Sequence, residues 1–78
     1  MNYKIIQSDH STWGYDIYDD TKLFVHQPTI PALPGNKGFD TKQAAEKVAK
    51  KVIEKIRKGE SPPTVTIYEM KQMGVISQ

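Results

Sequence analysis

The residues of this chain that could carry out acid–base chemistry are two histidines and the aspartates near them. His10 and His26 are the two histidines, and neither has a neighbour at a spacing typical of metal sites or catalytic triads. Asp16 could meet His26 across two strands, because diagonal neighbours on one sheet face lie about 7–8 Å apart. An enzyme that uses His26 and Asp16 is therefore an alternative. The lack of partner groups at suitable spacing around the two histidines favours a non-enzymatic protein, and we expect no catalytic residue, metal or cofactor.

A structural role is the favoured interpretation of His26. This residue ends a predicted strand and directly precedes Gln27 and Pro28. We expect its ring to hydrogen-bond a carbonyl of the proline-rich segment that follows, and so to hold that segment in place.

Two other clusters match ligand-binding motifs only in part. Asp16, Asp19 and Asp20 lack the alternating oxygen ligands, mid-loop glycine and final glutamate of a calcium-binding EF-hand loop. Residues 34–38 read PGNKG, but the Walker spacing and the Ser or Thr after lysine are missing. We therefore expect turns at both places. An anion contact by Lys37 through exposed turn amides is the alternative at the second.

Basic residues are concentrated in the second half of the chain. The formal net charge is +2, but residues 1–40 carry three lysines and five aspartates, whereas residues 41–78 carry eight basic and four acidic groups. Glu46 precedes Lys50 by four residues, and Glu54 is followed by Lys58 at the same spacing. This spacing suits helical ion pairs worth about 0.2–0.5 kcal/mol each, so a solvated helix face is favoured. The alternative is a polyanion-binding surface formed by Lys47, Lys50, Lys51, Lys55, Arg57 and Lys58, although nucleic acid is not the expected partner.

Three β-strands are predicted to position the histidines and aspartates. Residues 3–7, 13–18 and 22–26 are rich in β-favouring side chains and are separated by polar turns at 8–12 and 19–21. Side-chain parity favours a three-residue second turn, which pairs Ile17 with Leu23. One face of the hairpin then collects Tyr15, Ile17, Leu23 and Val25, and the other collects Asp16, Tyr18, Lys22, Phe24 and His26. The turn has no glycine, so Asp20 or Thr21 is expected to be strained.

A long amphipathic helix follows the strands. It is predicted to begin at Asp40 or Thr41, with Asp40 and Gln43 as a capping box, and to end at Gly59. The apolar stripe of this helix consists of Ala45, Val48, Ala49, Val52, Ile53 and Ile56.

The segment before the helix and the tail after it contain all five prolines. Pro28, Pro31 and Pro34 restrict residues 27–39 to a loop, pinned by Ile30 and Leu33, and a tight turn is expected between Gly35 and Gly38. The proline spacing also matches a PxxP ligand, but a packed loop is more consistent with the two apolar residues.

In the tail, Pro62 and Pro63 predict an extended stretch. A helix over 67–73 should follow it, capped by Thr66 and Glu69, with Met70 and Met73 inward and Gly74 as the stop. A fourth strand through Val65 and Ile67 is the alternative.

Length and composition limit the chain to one small domain. It has 78 residues, 37% hydrophobic and 26% charged, with no cysteine, so neither disulfides nor thiolate zinc sites can supplement a thin core. No stretch approaches the ~20 apolar residues of a membrane span. We predict a single α+β domain over residues 1–78, in two layers: a three-stranded antiparallel β-meander packed on one amphipathic helix, with an extended and short-helical C-terminal tail.

One helix can cover only one face of such a sheet. The other face would expose Tyr18, Phe24 and His26 unless the tail folds across it. Exposed aromatic residues beside charged groups are typical of interfaces. We therefore predict a binding surface of Tyr18, Phe24 and His26 with Gln27 and Lys37 of the loop, for an unknown protein partner or for self-association.

Several strings in the chain resemble those of a known family. The runs GYDIY, HQPxIP, PGNKGF and AEKVAxxVIxKIxxGExPPT resemble a small bacterial family classified only as a domain of unknown function, and the resemblance covers roughly Tyr15 to Val75. The resemblance implies short cell-envelope proteins, with a secretion or lipoprotein signal ahead of the domain. The targeting segment would then be absent from this chain, and Met1 would be an added residue. The resemblance assigns no catalytic residues, because none are established for the family. The turn at 19–21 departs from the family pattern, in which a glycine is expected at this turn. The predicted function is an extracytoplasmic binding or assembly module.

Overall fold

A computed structural model describes residues 1–33, 35, 37–60 and 62–76 of the chain. The sheet consists of β1 (Asn2–Ser8), β2 (Thr12–Asp19) and β3 (Lys22–Gln27), in the order β1-β2-β3, and both pairs are antiparallel. A 3-10 turn at Asp9–Ser11 joins the first two strands. The helices are α1 (Lys42–Arg57) and α2 (Ile67–Gln72). The predicted α+β architecture is confirmed. No helix formed by the described residues is long and apolar enough to span a bilayer.

The core lies between α1 and the first two strands. The predicted stripe of α1 is confirmed, since its members are buried except for Ile56, which is half-buried. Tyr15 and Ile17 of β2 face this stripe, and Val65 and Met70 complete the core from the tail. Because the tail packs on the helix side, it leaves the opposite face of the sheet uncovered.

The predicted register of the second hairpin is wrong. Asp19 pairs with Lys22, so the turn has two residues, and Tyr18 pairs with Leu23. A β-bulge follows on β3. Ile17 pairs with Val25 instead of the predicted Leu23, and Phe24 has no partner on β2. The bulge lets a two-residue turn coexist with Val25 packed against the core opposite Ile17, which parity counting across a regular ladder cannot anticipate. The expected turn strain is confirmed at Asp20, whose φ is 60°.

The two-residue turn changes the position of Leu23. It was expected on the helix-covered face with Ile17, but it lies opposite Tyr18 and is 54% exposed. The two-residue turn therefore moves Leu23 from the predicted core to the surface.

The helix boundaries agree with the sequence at both ends of α1, but the predicted N-terminal capping box does not form. Thr41 is the N-cap, and its Oγ1 accepts a hydrogen bond of 3.0 Å from the Ala44 amide. The capping box predicted for Asp40 and Gln43 is wrong, because the Asp40 carboxylate lies 3.3 Å from Lys37 and Thr41 has the extended conformation that an N-cap requires. Gly59 follows α1 with a φ of 88°, as predicted for the helix stop.

The described residues between 28 and 38 belong to a loop whose two ends lie together. The chain leaves the sheet after Gln27 and returns at Phe39, which exchanges backbone hydrogen bonds of 2.8 and 2.7 Å with Trp13. A Cβ at Gly14 would clash with Gln27, and one at Gly38 would lie 2.6 Å from the Trp13 carbonyl oxygen. Only glycine allows backbones to cross this closely. The geometry is that of an Ω-loop.

The interior of this loop is partly as predicted. Ile30 packs against the core, and its amide donates to the Lys37 carbonyl at 3.0 Å. Pro34 and Asn36 lie outside the described residues, and Asn36 belongs to the tight turn expected between Gly35 and Gly38.

The tail forms the predicted short helix, and the fourth-strand alternative is wrong. Thr66 and Glu69 make the expected capping box, with reciprocal bonds of 3.1 and 3.0 Å. Met70 is fully buried and Met73 is half-buried. Within the described ranges the sheet has three strands.

Candidate functional site

His26 and Asp16 lie side by side on the face of the sheet that α1 does not cover. The two residues are direct partners across β2 and β3, and Lys4 of β1 is opposite Asp16. The His26 Nδ1 lies 2.5 Å from an Asp16 carboxylate oxygen. The side chains are 57% and 13% exposed respectively. The contact required by the enzyme alternative is therefore present, because the bulge makes the two residues direct rather than diagonal neighbours.

The expected bond from His26 to a loop carbonyl is wrong. The neighbouring Gln27 makes this contact instead, since its Nε2 donates to the Thr29 carbonyl at 2.8 Å. The side chain of His26 points to the outer face of the sheet, whereas that of Gln27 lies on the helix side, as alternation along a strand requires.

The His26–Asp16 pair can orient a hydrogen bond. An ionised carboxylate can only accept, so the ring donates through Nδ1. The Nε2 atom then faces outward with no partner among the described residues. Within those residues no cluster of three or more histidines and carboxylates is placed to hold a metal ion. A ring fixed in this way presents one directional polar contact at the surface.

Apolar side chains are exposed beside this pair, on the β2–β3 hairpin. Leu23 and Phe24 are consecutive and each is 54% exposed. Tyr18 is half-buried, and the Lys4 ammonium lies 5.9 Å from the centre of its ring. We call Tyr18, Leu23, Phe24 and His26 the outer patch. Sequence reasoning missed Leu23 because it favoured a three-residue turn, which places Leu23 on the helix side.

The structure does not bring all five predicted binding residues together. Tyr18, Phe24 and His26 lie in the outer patch. Gln27 lies on the helix side of β3, and Lys37 sits beside Thr12 at the opposite end of β2 from Tyr18. The Lys37 ammonium is 3.3 Å from Asp40, and both side chains are largely exposed.

The predicted basic surface is smaller than the sequence suggests. Lys55 is 9% exposed and donates to the Thr64 carbonyl at 2.6 Å and to Glu69 at 2.8 Å. The Glu54 carboxylate lies 3.2 Å from Lys51 and 3.6 Å from Lys58, and these cations, Lys51 first, hold the pKa of Glu54 below its usual value. The set without an acidic partner among the described residues is Lys47, Lys50 and Arg57.

One of the two predicted helical ion pairs is replaced by a contact to the sheet. Glu54 and Lys58 form the expected pair. Glu46 accepts a hydrogen bond of 2.6 Å from the Tyr3 hydroxyl instead of pairing with Lys50, and this bond raises the pKa of Tyr3. Lys50 is therefore left facing solvent.

Comparison with protein families gives a match over most of the chain. The family model described as a domain of unknown function, DUF4907, matches residues 4–72. Comparisons with curated proteins and with solved structures each gave no significant match. The match confirms a resemblance to a domain of unknown function and assigns no activity. Since it covers most of the 78 residues, the chain belongs to the DUF4907 family.

Proposed function

We propose that this domain is a non-enzymatic binding module of the bacterial cell envelope, and that the outer patch contacts a protein surface. The partner is another envelope protein or a second copy of this chain. The observation that carries the proposal is the exposure of two consecutive large apolar residues, Leu23 and Phe24, at 54% each. Contiguous apolar exposure of this kind is typical of interaction sites.

The surroundings of these two residues support a protein contact. The tail, which could have covered the hairpin, is committed to the other side through Val65 and Met70. Next to the apolar residues, Asp16 holds the His26 ring in a defined orientation. An apolar centre beside an oriented polar group is the usual anatomy of a protein interface.

The position of the bulge favours contact through side chains over addition of a strand. β3 is an edge strand of the sheet, and such edges can pair with foreign strands. Phe24 interrupts the ladder near the turn, which twists the edge and weakens it as a template. The exposed side chains of Leu23 and Phe24 are then the contacts left for a partner.

The non-enzymatic part of the proposal rests on the small number of groups around His26. General acid–base catalysis on this pair needs a further group placed to act on a substrate, and Asp16 is the one ionisable partner of His26 among the described residues. The envelope location rests on the sequence resemblance.

The test compares Phe24→Asp with Tyr68→Asp. Tyr68 on α2 is 70% exposed, so it controls for the loss of an exposed aromatic residue away from the patch. Phe24→Asp should lower both the molar mass measured by light scattering and the retention of envelope proteins on the immobilised domain. Tyr68→Asp should match wild type in both measurements. Identical mass and identical retention for all three proteins would contradict the proposal.

Unpaired cations on α1 favour a second candidate, contact with an anionic surface. Lys47, Lys50 and Arg57 are exposed and have no acidic partner in the described part of the chain. Binding to heparin should weaken steeply with added salt and fall for Lys50→Glu more than for Lys58→Glu, since Lys58 is already paired. No detectable binding at low salt would remove this candidate.

A further inference from the structure

A groove opens on the helix side of β3, away from the outer patch. Its volume is about 410 Å³, within the range of small-molecule sites. α1 packs mainly over β1 and β2, so the inner side of β3 is left to the Ω-loop and the tail. Val52 and Val65 line the groove at the core, and Pro31 and Pro63 line it from the loop and the tail.

Tyr15 is the unusual residue in this groove. It is 2% exposed, and its hydroxyl has no hydrogen-bond partner among the described residues. The hydroxyl of Tyr15 is accessible to solvent. Because Tyr15 lines the groove, we infer that the hydroxyl is exposed at the groove surface. Burial raises the pKa of Tyr15 well above its ordinary value, so this group remains a neutral donor.

The hydroxyl of Tyr15 still requires an acceptor. Because it reaches the groove, water or a bound molecule can supply one there. Tyr3, the other tyrosine of the sheet's inner face, meets this requirement by donating to Glu46 at 2.6 Å. A bound molecule that accepts from Tyr15 would do the same in the groove.

The backbone at the rim carries strain. Ala32 lines the groove with a φ of 67°, at a turn in which the Leu33 amide donates to the Ile30 carbonyl. A glycine would adopt this conformation without steric cost. Strained residues of this kind occur at ligand sites, where the surrounding structure holds them in place.

The lining also specifies the charge of the ligand. Among the described residues, no charged side chain lines the groove, and the polar side chains that line it besides Tyr15 are Gln27 and Thr64. Because the Gln27 Nε2 is used by Thr29, its amide oxygen is the atom left for a second contact.

We propose that this groove binds a compact, uncharged molecule with an apolar body and one hydroxyl or carbonyl oxygen that accepts a hydrogen bond from Tyr15. The valines and prolines enclose the apolar body, and Gln27 can accept from a ligand hydroxyl. This site is on the opposite side of the sheet from the outer patch and does not depend on the function proposed for it.

The test uses three probes of similar shape with the ¹⁵N-labelled full chain: benzyl alcohol, toluene and benzoate. Benzyl alcohol should shift the amide signals of Val25, Val52 and Val65 saturably and bind more tightly than toluene. Benzoate should not bind, because the groove offers no cation. Tyr15→Phe should weaken benzyl alcohol binding about 5–10-fold, the value of one hydrogen bond, and leave toluene binding unchanged.

A second variant keeps the test decisive if Tyr15→Phe fails to fold. Thr64→Trp adds bulk from the exposed rim, while the backbone carbonyl of residue 64 can still accept from Lys55. It should abolish binding of benzyl alcohol and toluene. The proposal is overturned by no saturable shift with any probe, by shifts confined to the outer edge of β3, by equal affinity of wild type and Tyr15→Phe for benzyl alcohol, or by undiminished binding to Thr64→Trp.

Discussion

Lys55 and Glu69 form an ion pair that joins the two helices. The Lys55 ammonium lies 2.8 Å from the Glu69 carboxylate and 2.6 Å from the Thr64 carbonyl oxygen. The same carboxylate accepts from the Thr66 amide in the capping box. One lysine of α1 therefore holds both the start of α2 and the segment that leads to it.

Loss of this lysine should release the tail. Lys55→Met keeps the apolar stem but leaves Glu69 and the Thr64 carbonyl without the ammonium, so the free energy of unfolding should fall by about 1–3 kcal/mol. Lys58→Met is the control and should change it by less than about 0.5 kcal/mol, because Lys58 is an exposed surface residue. Urea denaturation measures both. Equal stability of the two variants would contradict the role of Lys55.

Glu69 should make the fold sensitive to acid. Its hydrogen bond with Lys55, followed by the one with the Thr66 amide, holds its pKa below the ordinary 4.5. A carboxylate with a lowered folded-state pKa contributes stability that is complete above its unfolded pKa and is lost as the pH falls through the folded value. Stability should therefore decline below about pH 4.5–5, and less steeply in Glu69→Gln, where Glu54 still contributes.

The measurement is the free energy of unfolding between pH 7 and pH 3. In a Lys55→Met background, Glu69→Gln should change the pH dependence much less. The same slope for wild type and Glu69→Gln would show that this carboxylate is not linked to folding.

The crossing of the loop over the sheet should tolerate no added methyl group. Gly38→Ala places a Cβ 2.6 Å from the Trp13 carbonyl oxygen and 2.9 Å from that of Pro28, and should destabilise the fold by about 1–3 kcal/mol. Gly14→Ala meets the same Pro28 from the other side, so the two effects should not add. Lys37→Ala is the exposed control, with an expected change below about 0.5 kcal/mol. Thermal unfolding of Gly38→Ala, Gly14→Ala, the double variant of these two glycines and Lys37→Ala measures the effects.

The second hairpin turn should be improved by glycine at one position. Asp20 has a φ of 60°, which is unfavourable for most residues that have a Cβ, so Asp20→Gly should raise the free energy of unfolding by about 0.5–1 kcal/mol. Thr21 does not have a positive φ, and Thr21→Gly should be neutral or destabilising because glycine adds entropy to the unfolded chain. A destabilised Asp20→Gly would contradict the assigned turn.

Local features of the chain were predictable because their causes lie within a few residues. The apolar stripe from Ala45 to Ile56, the glycine stop after α1 and the Thr66–Glu69 capping box each depend on neighbours in sequence, and all three are present. The predicted hairpin register is wrong because the bulge at Phe24 brings Val25, and not Phe24, opposite Ile17 and into contact with the core. That contact joins residues far apart in the chain.

The amino-acid sequence by itself determined the order of elements, the two-layer α+β class and the apolar face of α1. These follow from side-chain periodicity and short-range caps. The tertiary structure alone decided which polar groups remain available: it paired His26 with Asp16, removed Lys55 from the basic surface, exposed Leu23 and left the Tyr15 hydroxyl open to a groove. The physical reason is that the solvation and pairing of a side chain depend on which distant elements pack around it, and sequence spacing does not encode those contacts directly.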